Sequence, residues 1–221
     1  MRQVHVLVEG TTEERLVERV FQPELSRSGV WLTPVGLKTR RAAGQPHNRG
    51  GVSRWAKIEP EIRGLLRNSA VDAVTTLLDF YGLPSDTPGM ANLPSGDAYA
   101  RVAHVEGAIG GVIADPRFVP FLALHETEAW VLAACRELSE LVGSPGLALQ
   151  LGEQVGRAGG PELINDGPST APSKRIRKAY PAYRKVVDGP DAIELLGLSE
   201  LRAVCPHLDQ WIKRLESNGT G

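Results

Sequence analysis

Three short apolar segments of this chain stop at or beside an acidic residue, and each leads into a helix-forming segment. The segments are QVHVLV before Glu9, VTTLL before Asp79, and FVPFLAL before His125 and Glu126. Short apolar and β-branched runs predict buried strands, and the helical spacing of apolar residues after them predicts helices. Alternating strands and helices predict an α/β fold, a Rossmann-like and mostly parallel sheet with helices on both faces.

A further strand is predicted at VWLTPVGLK, residues 30–38, where Pro34 indicates a sheet edge or a bulge because proline cannot donate to the strand ladder. Other helices are predicted over residues 13–26, 53–68 and 97–114. The remainder is mostly helical in pattern. The sequence therefore predicts an α/β domain at 1–145 and a helical, partly basic extension at 146–221 packed on it.

The acids at the strand ends are expected to meet, because the carboxyl ends of parallel strands share one edge of the sheet. Glu13 lies four residues after Glu9, and Glu128 lies two residues after Glu126. Close carboxylates repel one another, and a hard divalent cation such as Mg²⁺ or Mn²⁺ removes that repulsion. The candidate metal ligands are Glu9, Glu13, Asp79, Glu126 and Glu128.

Each of these acids also has a simpler structural interpretation. Glu13 and Glu128 fit the first turn of a helix, where a carboxylate stabilises the helix dipole. Asp79 alone fits a turn cap. His125 fits either a general base or metal ligand, or a hydrogen-bonded structural residue.

Basic residues are concentrated in two segments, 38–58 and 173–187, of a chain whose net charge is only −1. Such segments predict a face that binds the phosphates of DNA or RNA, although a solvated surface is the alternative. Tyr180 and Tyr183 would stack on bases or else pack inward. The candidate nucleic-acid-binding residues are Arg40, Arg41, Arg49, Ser173, Lys174, Arg175, Lys178 and Lys185.

Several classes of protein are disfavoured. No apolar run is long enough to predict a membrane span. Cys135 and Cys205 have neither zinc-ligand nor disulfide-framework spacing, so a reducing cytoplasm is expected. The phosphate-binding pattern GxxxxGK[ST] is absent from the sequence, so no nucleotide cofactor site is predicted. The serine-hydrolase pattern GxSxG is also absent, so catalysis by a serine nucleophile is not predicted.

Two of the acidic segments resemble a known family. VEGTTEE at 8–14 and LLDFYGLP at 77–84 resemble the Glu and Asp-x-Asp motifs of the Toprim domain, as found in topoisomerases, primases and OLD-type nucleases. With LHETEAW, APSKRI and CPHLDQW, the chain also resembles uncharacterised Toprim-like proteins of abortive-infection phage-defence operons, which are encoded beside an ATPase. The motifs extend over residues 8–211.

This resemblance implies a cytoplasmic, Mg²⁺-dependent nuclease with a partner ATPase, in which Glu9 binds metal or acts as a general acid or base. Glu9, Asp79 and Glu126 would be the catalytic set. Tyr81 stands where the family has its second Asp, so either Asp86, Glu126 or Glu128 supplies that ligand, or the site is altered or inactive. The alternatives are a non-catalytic regulatory subunit of an ATPase complex, and a phosphatase acting on a nucleotide. An oligomer is compatible with either.

Overall fold

The sheet is parallel at every pairing among the described strands. The fold is that of a computed structural model, which describes residues 1–38, 54–164, 167 and 170–217. The strands are β1 (Arg2–Val8), β2 (Val30–Gly36), β3 (Ala73–Asp79), β4 (Phe118–Val119) and β5 (Leu122–Ala123). They are arranged in the order β2-β1-β3-β4, and β5 continues along β3 beyond β4.

Helices connect the strands and make up the C-terminal region. Those before β4 are α1 (Thr11–Leu16), α2 (Gln22–Arg27), α3 (Trp55–Leu66) and α4 (Ala98–Ile113), with a π-helical segment, Val17–Phe21, joining α1 to α2. Those after β5 are α5 (Glu128–Ala133), α6 (Cys135–Leu141), α7 (Pro145–Ala158), α8 (Pro172–Ala179), α9 (Asp188–Leu196), α10 (Leu198–Val204) and α11 (Pro206–Ser217).

Two hydrophobic cores lie on opposite faces of the sheet. Val6 of β1 faces a core that contains Trp130 and Trp211, whereas its neighbour Leu7 faces a core built with α3 and α4. Adjacent strand residues point to opposite faces, so helices cover the sheet on both sides. The predicted Rossmann-like α/β fold is therefore confirmed. The first core also contains buried side chains from before and after residue 145, the predicted boundary between the α/β domain and the helical extension.

Prolines account for two details of the sheet. Pro34 lies in β2, which pairs only with β1 among the described strands, so the predicted edge position is confirmed. The segment predicted as one strand at Phe118–Leu124 is instead two short strands with Pro120 between them. Proline has no N–H to donate, and the pairing to β3 stops at Val119 and resumes at Leu122.

Three buried side chains and one partly buried tyrosine fix the start of α11, and we call Tyr99, Glu106, Glu162 and His207 the capping network. Glu162 accepts hydrogen bonds from the backbone N–H groups of His207 at 3.0 Å and Leu208 at 3.2 Å, and from the Tyr99 hydroxyl at 3.3 Å. Glu106 Oε1 lies 3.0 Å from His207 Nε2 and accepts from the Leu122 N–H. The network supplies the N-terminal cap that α11 needs.

No helix among the described residues is long and apolar enough to cross a membrane.

Candidate functional site

Four carboxylates meet at the carboxyl edge of the sheet. Glu9 directly follows β1, Asp79 is the last residue of β3, and Glu128 is the first residue of α5. Glu13 lies in α1, and its Oε2 accepts a hydrogen bond from the Gly10 N–H at 3.0 Å. Gly10 is the N-cap residue of α1, and the Glu13 side chain satisfies its backbone N–H.

Thr127 joins two of these carboxylates. Its backbone N–H donates to Asp79 Oδ1 at 2.8 Å, and its hydroxyl donates to Glu13 Oε1 at 3.4 Å. Residues far apart in sequence are thus brought together at one buried residue, since Thr127 is only 1% exposed.

Lys185 supplies the positive charge at this point. Its Nζ lies 3.0 Å from Glu128 Oε2 and 3.8 Å from Asp79 Oδ2. We call Glu9, Glu13, Asp79, Glu128 and Lys185 the strand-tip cluster. Lys185 belongs to the segment between α8 and α9 and was expected to contact nucleic acid. The structure instead places it among carboxylates, with 31% of its side chain exposed.

Burial changes the protonation of the whole cluster. Because burial penalises the charged form, it raises the pKa of four carboxyl groups, those of Glu9, Glu13, Asp79 and Glu128, and that of Asp79 the most clearly. Lys185 opposes this rise in pKa at each carboxyl group. Burial also disfavours the Lys185 ammonium, but attraction from Glu128 and its neighbours prevails and raises the Lys185 pKa. One ammonium thus offsets only part of the charge that four ionised carboxylates would carry.

Two buried polar atoms in this region have no hydrogen-bond partner among the described residues. They are Glu128 Oε1 and the hydroxyl of Tyr183. Burial first, and then the charge of Glu128, raise the pKa of that hydroxyl. Orphaned buried polar atoms are uncommon and call for an explanation, such as a bound ion or water.

The donor set fits a hard cation, because it is made of carboxylate oxygens. One of these oxygens, Glu128 Oε1, is orphaned, and another, Glu9 Oε2, lies so close to Gly82 that a side chain there would crowd it. No three His, Cys, Asp or Glu side chains form a metal-binding group in the described part of the chain. A cation would therefore require the carboxylates to move closer together.

Glu126 lies beside the cluster, where its charge helps to raise the pKa of Glu128 after the larger effect of burial, but it caps a helix. Its Oε2 accepts a hydrogen bond from the Ser173 backbone N–H, at 3.0 Å, in the first turn of α8. A carboxylate at a helix N-terminus satisfies an otherwise unpaired donor and interacts favourably with the helix dipole. The N–H group expected to dock a phosphate at Ser173 is thus bonded to Glu126.

The structure separates the candidates for the ligand that Tyr81 replaces. Asp86 accepts a hydrogen bond from the Trp55 N–H at 2.9 Å and so caps α3. Glu128 shares Lys185 with Asp79, which makes it the acid best placed for that role. Tyr81 is 40% exposed, and its ring lies 5.6 Å from the ring of His125.

The basic residues are distributed over separate places. Lys174, Arg175 and Lys178 line a groove between α7 and α8, together with Arg157, which the sequence analysis missed. Tyr183 is 6% exposed, so it packs inward and does not offer a stacking surface. Three further predicted residues, Arg40, Arg41 and Arg49, lie outside the described residues.

Comparison with known proteins gives one family. The chain matches the family model described as Domain of unknown function (DUF4276) over residues 8–216. No curated protein and no solved structure matches the chain. The match includes every member of the strand-tip cluster and the capping network. This chain therefore belongs to the DUF4276 family.

Proposed function

We propose that this chain is a Mg²⁺- or Mn²⁺-dependent nuclease that hydrolyses phosphodiester bonds in DNA or RNA at the strand-tip cluster. The observation that carries the proposal is the convergence of two buried carboxylates, Glu13 and Glu128, and two partly buried ones, Glu9 and Asp79, around a single ammonium. Glu128 Oε1 has no partner in the described structure. Clusters of buried acids with raised pKa values are typical of catalytic sites.

Glu9, Asp79 and Glu128 would hold the cation, with Glu13 beside them. A bound Mg²⁺ would polarise a phosphodiester and lower the pKa of water. The residues of the chain do the positioning: Thr127 fixes the orientation of Asp79 and Glu13 through two hydrogen bonds. An acid of this cluster with a raised pKa would accept the proton of the attacking water.

Lys185 has a defined part in this proposal. When no divalent cation is bound, its ammonium offsets part of the charge of the carboxylates. When a divalent cation is bound, the ammonium moves towards the phosphate of the substrate. A lysine beside a phosphate stabilises the negative charge that develops in hydrolysis.

The proposed setting is the bacterial cytoplasm, in phage defence beside a partner ATPase. It rests on the resemblance of the sequence motifs to Toprim-like abortive-infection proteins. Both cysteines are free thiols, in keeping with a reducing compartment.

The test is cleavage of labelled single-stranded DNA, duplex DNA and RNA in the presence of Mg²⁺ or Mn²⁺. We expect Asp79→Asn and Glu128→Gln to lose activity by about a hundredfold or more. The matched control is Asp86→Asn, which changes an acid that caps α3 outside the cluster and should retain activity. Loss of activity in none of these variants, or in all three, would overturn the assignment.

A regulatory subunit without catalysis is the second candidate, and the ion pairs of Lys185 favour it. Lys185 already occupies a place among the carboxylates that a metal ion would otherwise take. In that case neither Mg²⁺ nor Mn²⁺ raises the melting temperature of the wild type, and no nucleic acid is cleaved.

A further inference from the structure

A positively charged groove lies between α7 and α8, outside the strand-tip cluster. Its volume is about 370 Å³, and its cations are Arg157, Lys174, Arg175 and Lys178. A second hollow of about 190 Å³ shares Arg157 and Arg175 with it, so the depression continues along α7. A depression of this form accommodates an extended chain better than a compact ligand.

The two lysines of the groove have no balancing acid among the described residues. Glu153 is the one acid in its described lining, and it is paired with Arg157 at 3.3 Å. Lys174 and Lys178 are exposed, lie one helical turn apart, and have no ion-pair partner among the described residues. Like charges at this spacing repel and destabilise the helix, so an anion bound between them would be stabilising.

One cation of the groove is already held in place. Arg175 donates from Nε to the Thr170 carbonyl at 2.6 Å and from a terminal nitrogen to Gln154 Oε1 at 3.0 Å. These bonds connect α8 to α7 and fix the guanidinium at the groove wall. A fixed cation loses little conformational entropy when it binds an anion.

The groove is also connected to the strand-tip cluster through α8. This helix packs against both α5, which begins with Glu128, and α7. The Ser173 N–H bonds to Glu126, and the next residue, Lys174, lines the groove. A chain of phosphates in the groove would thus continue towards the carboxylates.

The lining indicates which part of a nucleic acid is bound. Gln150, Gln154 and Thr170 are polar, and no aromatic side chain is among the described lining residues. Bases therefore have nothing to stack on, and the cations are suited to phosphate oxygens. Contacts of this kind hold a strand without reading its sequence.

We propose that the α7–α8 groove binds the phosphate backbone of a single nucleic-acid strand and directs it towards the strand-tip cluster. The delivery of the strand to the carboxylates rests on the proposed function. The binding of the strand in the groove does not depend on cleavage.

The experiment measures the affinity of the full-length protein for a fluorescent oligonucleotide of ~20 nucleotides, by anisotropy in EDTA so that no cleavage occurs. The test variant is Lys174→Ala/Lys178→Ala, which removes two exposed charges. The control, Arg67→Ala/Arg101→Ala, removes two exposed charges, one at the C-terminal cap of α3 and one in α4, on the other face of the sheet.

We expect the test variant to bind about tenfold more weakly, and its dependence of log K on log salt to be shallower by about 1.4, as for two lost contacts to a single strand. The control should bind like the wild type. Equal binding by both variants would overturn the proposal. So would equal competition by polyglutamate of similar charge, which would indicate an acidic protein partner, or by a mononucleotide.

A separate measurement distinguishes this proposal from the proposed function. If the groove variant binds weakly but no Mg²⁺- or Mn²⁺-dependent cleavage is found with the wild type, the nuclease assignment fails and the groove assignment stands. If the wild type cleaves and the groove variant binds normally, the groove assignment fails and the nuclease stands.

Discussion

The strand-tip cluster and the capping network both bury glutamate side chains, but they differ in how those side chains are satisfied. In the capping network, Glu162 accepts three hydrogen bonds from donors of the chain itself. In the strand-tip cluster, four carboxylates share Lys185, and Glu128 Oε1 has no partner among the described residues. Burial of the two glutamates is the same, since Glu128 and Glu162 are each 1% exposed.

This difference separates a structural role from a candidate functional one. A buried acid that accepts bonds from backbone N–H groups stabilises the element that presents them. A group of buried acids with too few donors costs stability unless something else binds there. We therefore expect the two regions to differ in how far mutation destabilises them and in whether a metal ion restores the loss.

The largest effect is expected from Lys185→Met. Without the ammonium, the buried carboxylates are left uncompensated, which should cost about 3 kcal/mol of unfolding free energy near neutral pH. Urea denaturation measures it. Addition of Mn²⁺, or acidification that protonates the carboxylates, should restore most of the loss. Lys178→Met is the matched control and should change little; equal stability of both variants would contradict the role of Lys185.

A smaller loss is expected from Glu162→Ala in the capping network. The backbone N–H groups of His207 and Leu208 would lose their acceptor, at a cost of about 2 kcal/mol. The variant Glu162→Gln keeps one acceptor oxygen and should lose less. Mn²⁺ should stabilise neither variant more than it stabilises the wild type. Rescue of Glu162→Ala by Mn²⁺ would remove the distinction between the two regions.

Asp79→Asn should leave the free energy of unfolding unchanged or raise it by up to about 1 kcal/mol at neutral pH. The reason is that the substitution removes a carboxylate whose charged form is disfavoured by burial. Burial raises the Asp79 pKa, so this group contributes stability at low pH that is lost as pH rises through the raised pKa. Unfolding free energy measured from acidic to neutral pH should fall for the wild type and fall less for the variant. A loss of stability that is larger at neutral pH than at acidic pH would contradict this sign.

The smallest effect on stability is expected from Gly82→Ala. The added methyl group would lie 3.3 Å from Glu9 Oε2, so that carboxylate must shift slightly, at about 0.5 kcal/mol. We expect Mn²⁺ affinity, measured by calorimetric titration, to fall about threefold, which corresponds to a similar energy. The control is Gly107→Ala in α4, where an added methyl group meets nothing within 4 Å. Equal affinities in both variants would place Glu9 outside the metal site.

The sequence was sufficient for the parts of the fold that depend on local pattern. β1 and β3 are apolar or β-branched runs, and Gly10 and Gly82 follow their ends closely, so both strands and the positions of Glu9 and Asp79 could be predicted. The parallel order follows from the helices between the strands. The strand predicted at Phe118–Leu124 is divided in two, and this was missed because the continuous apolar residues around Pro120 indicate a single strand.

The part of the site that could not be predicted depends on long-range folding. Lys185 lies in a segment without regular structure, and nothing near it in sequence indicates that it faces Glu128. Glu126 matches a metal ligand by position, but its side chain caps α8 instead. Both assignments depend on where the C-terminal helices pack, which is decided by burial of residues such as Trp211 and not by local spacing.

The origin of Lys185 in the C-terminal region has a consequence for how the protein is made. A ribosome completes the acidic residues of the sheet edge well before it reaches the lysine, because synthesis proceeds from the N-terminus. Until then the acids of the emerging α/β segment repel one another without the lysine that opposes their charge in the folded protein. The nascent sheet edge should therefore stay open, and its closure should coincide with the emergence of the helices that follow α7.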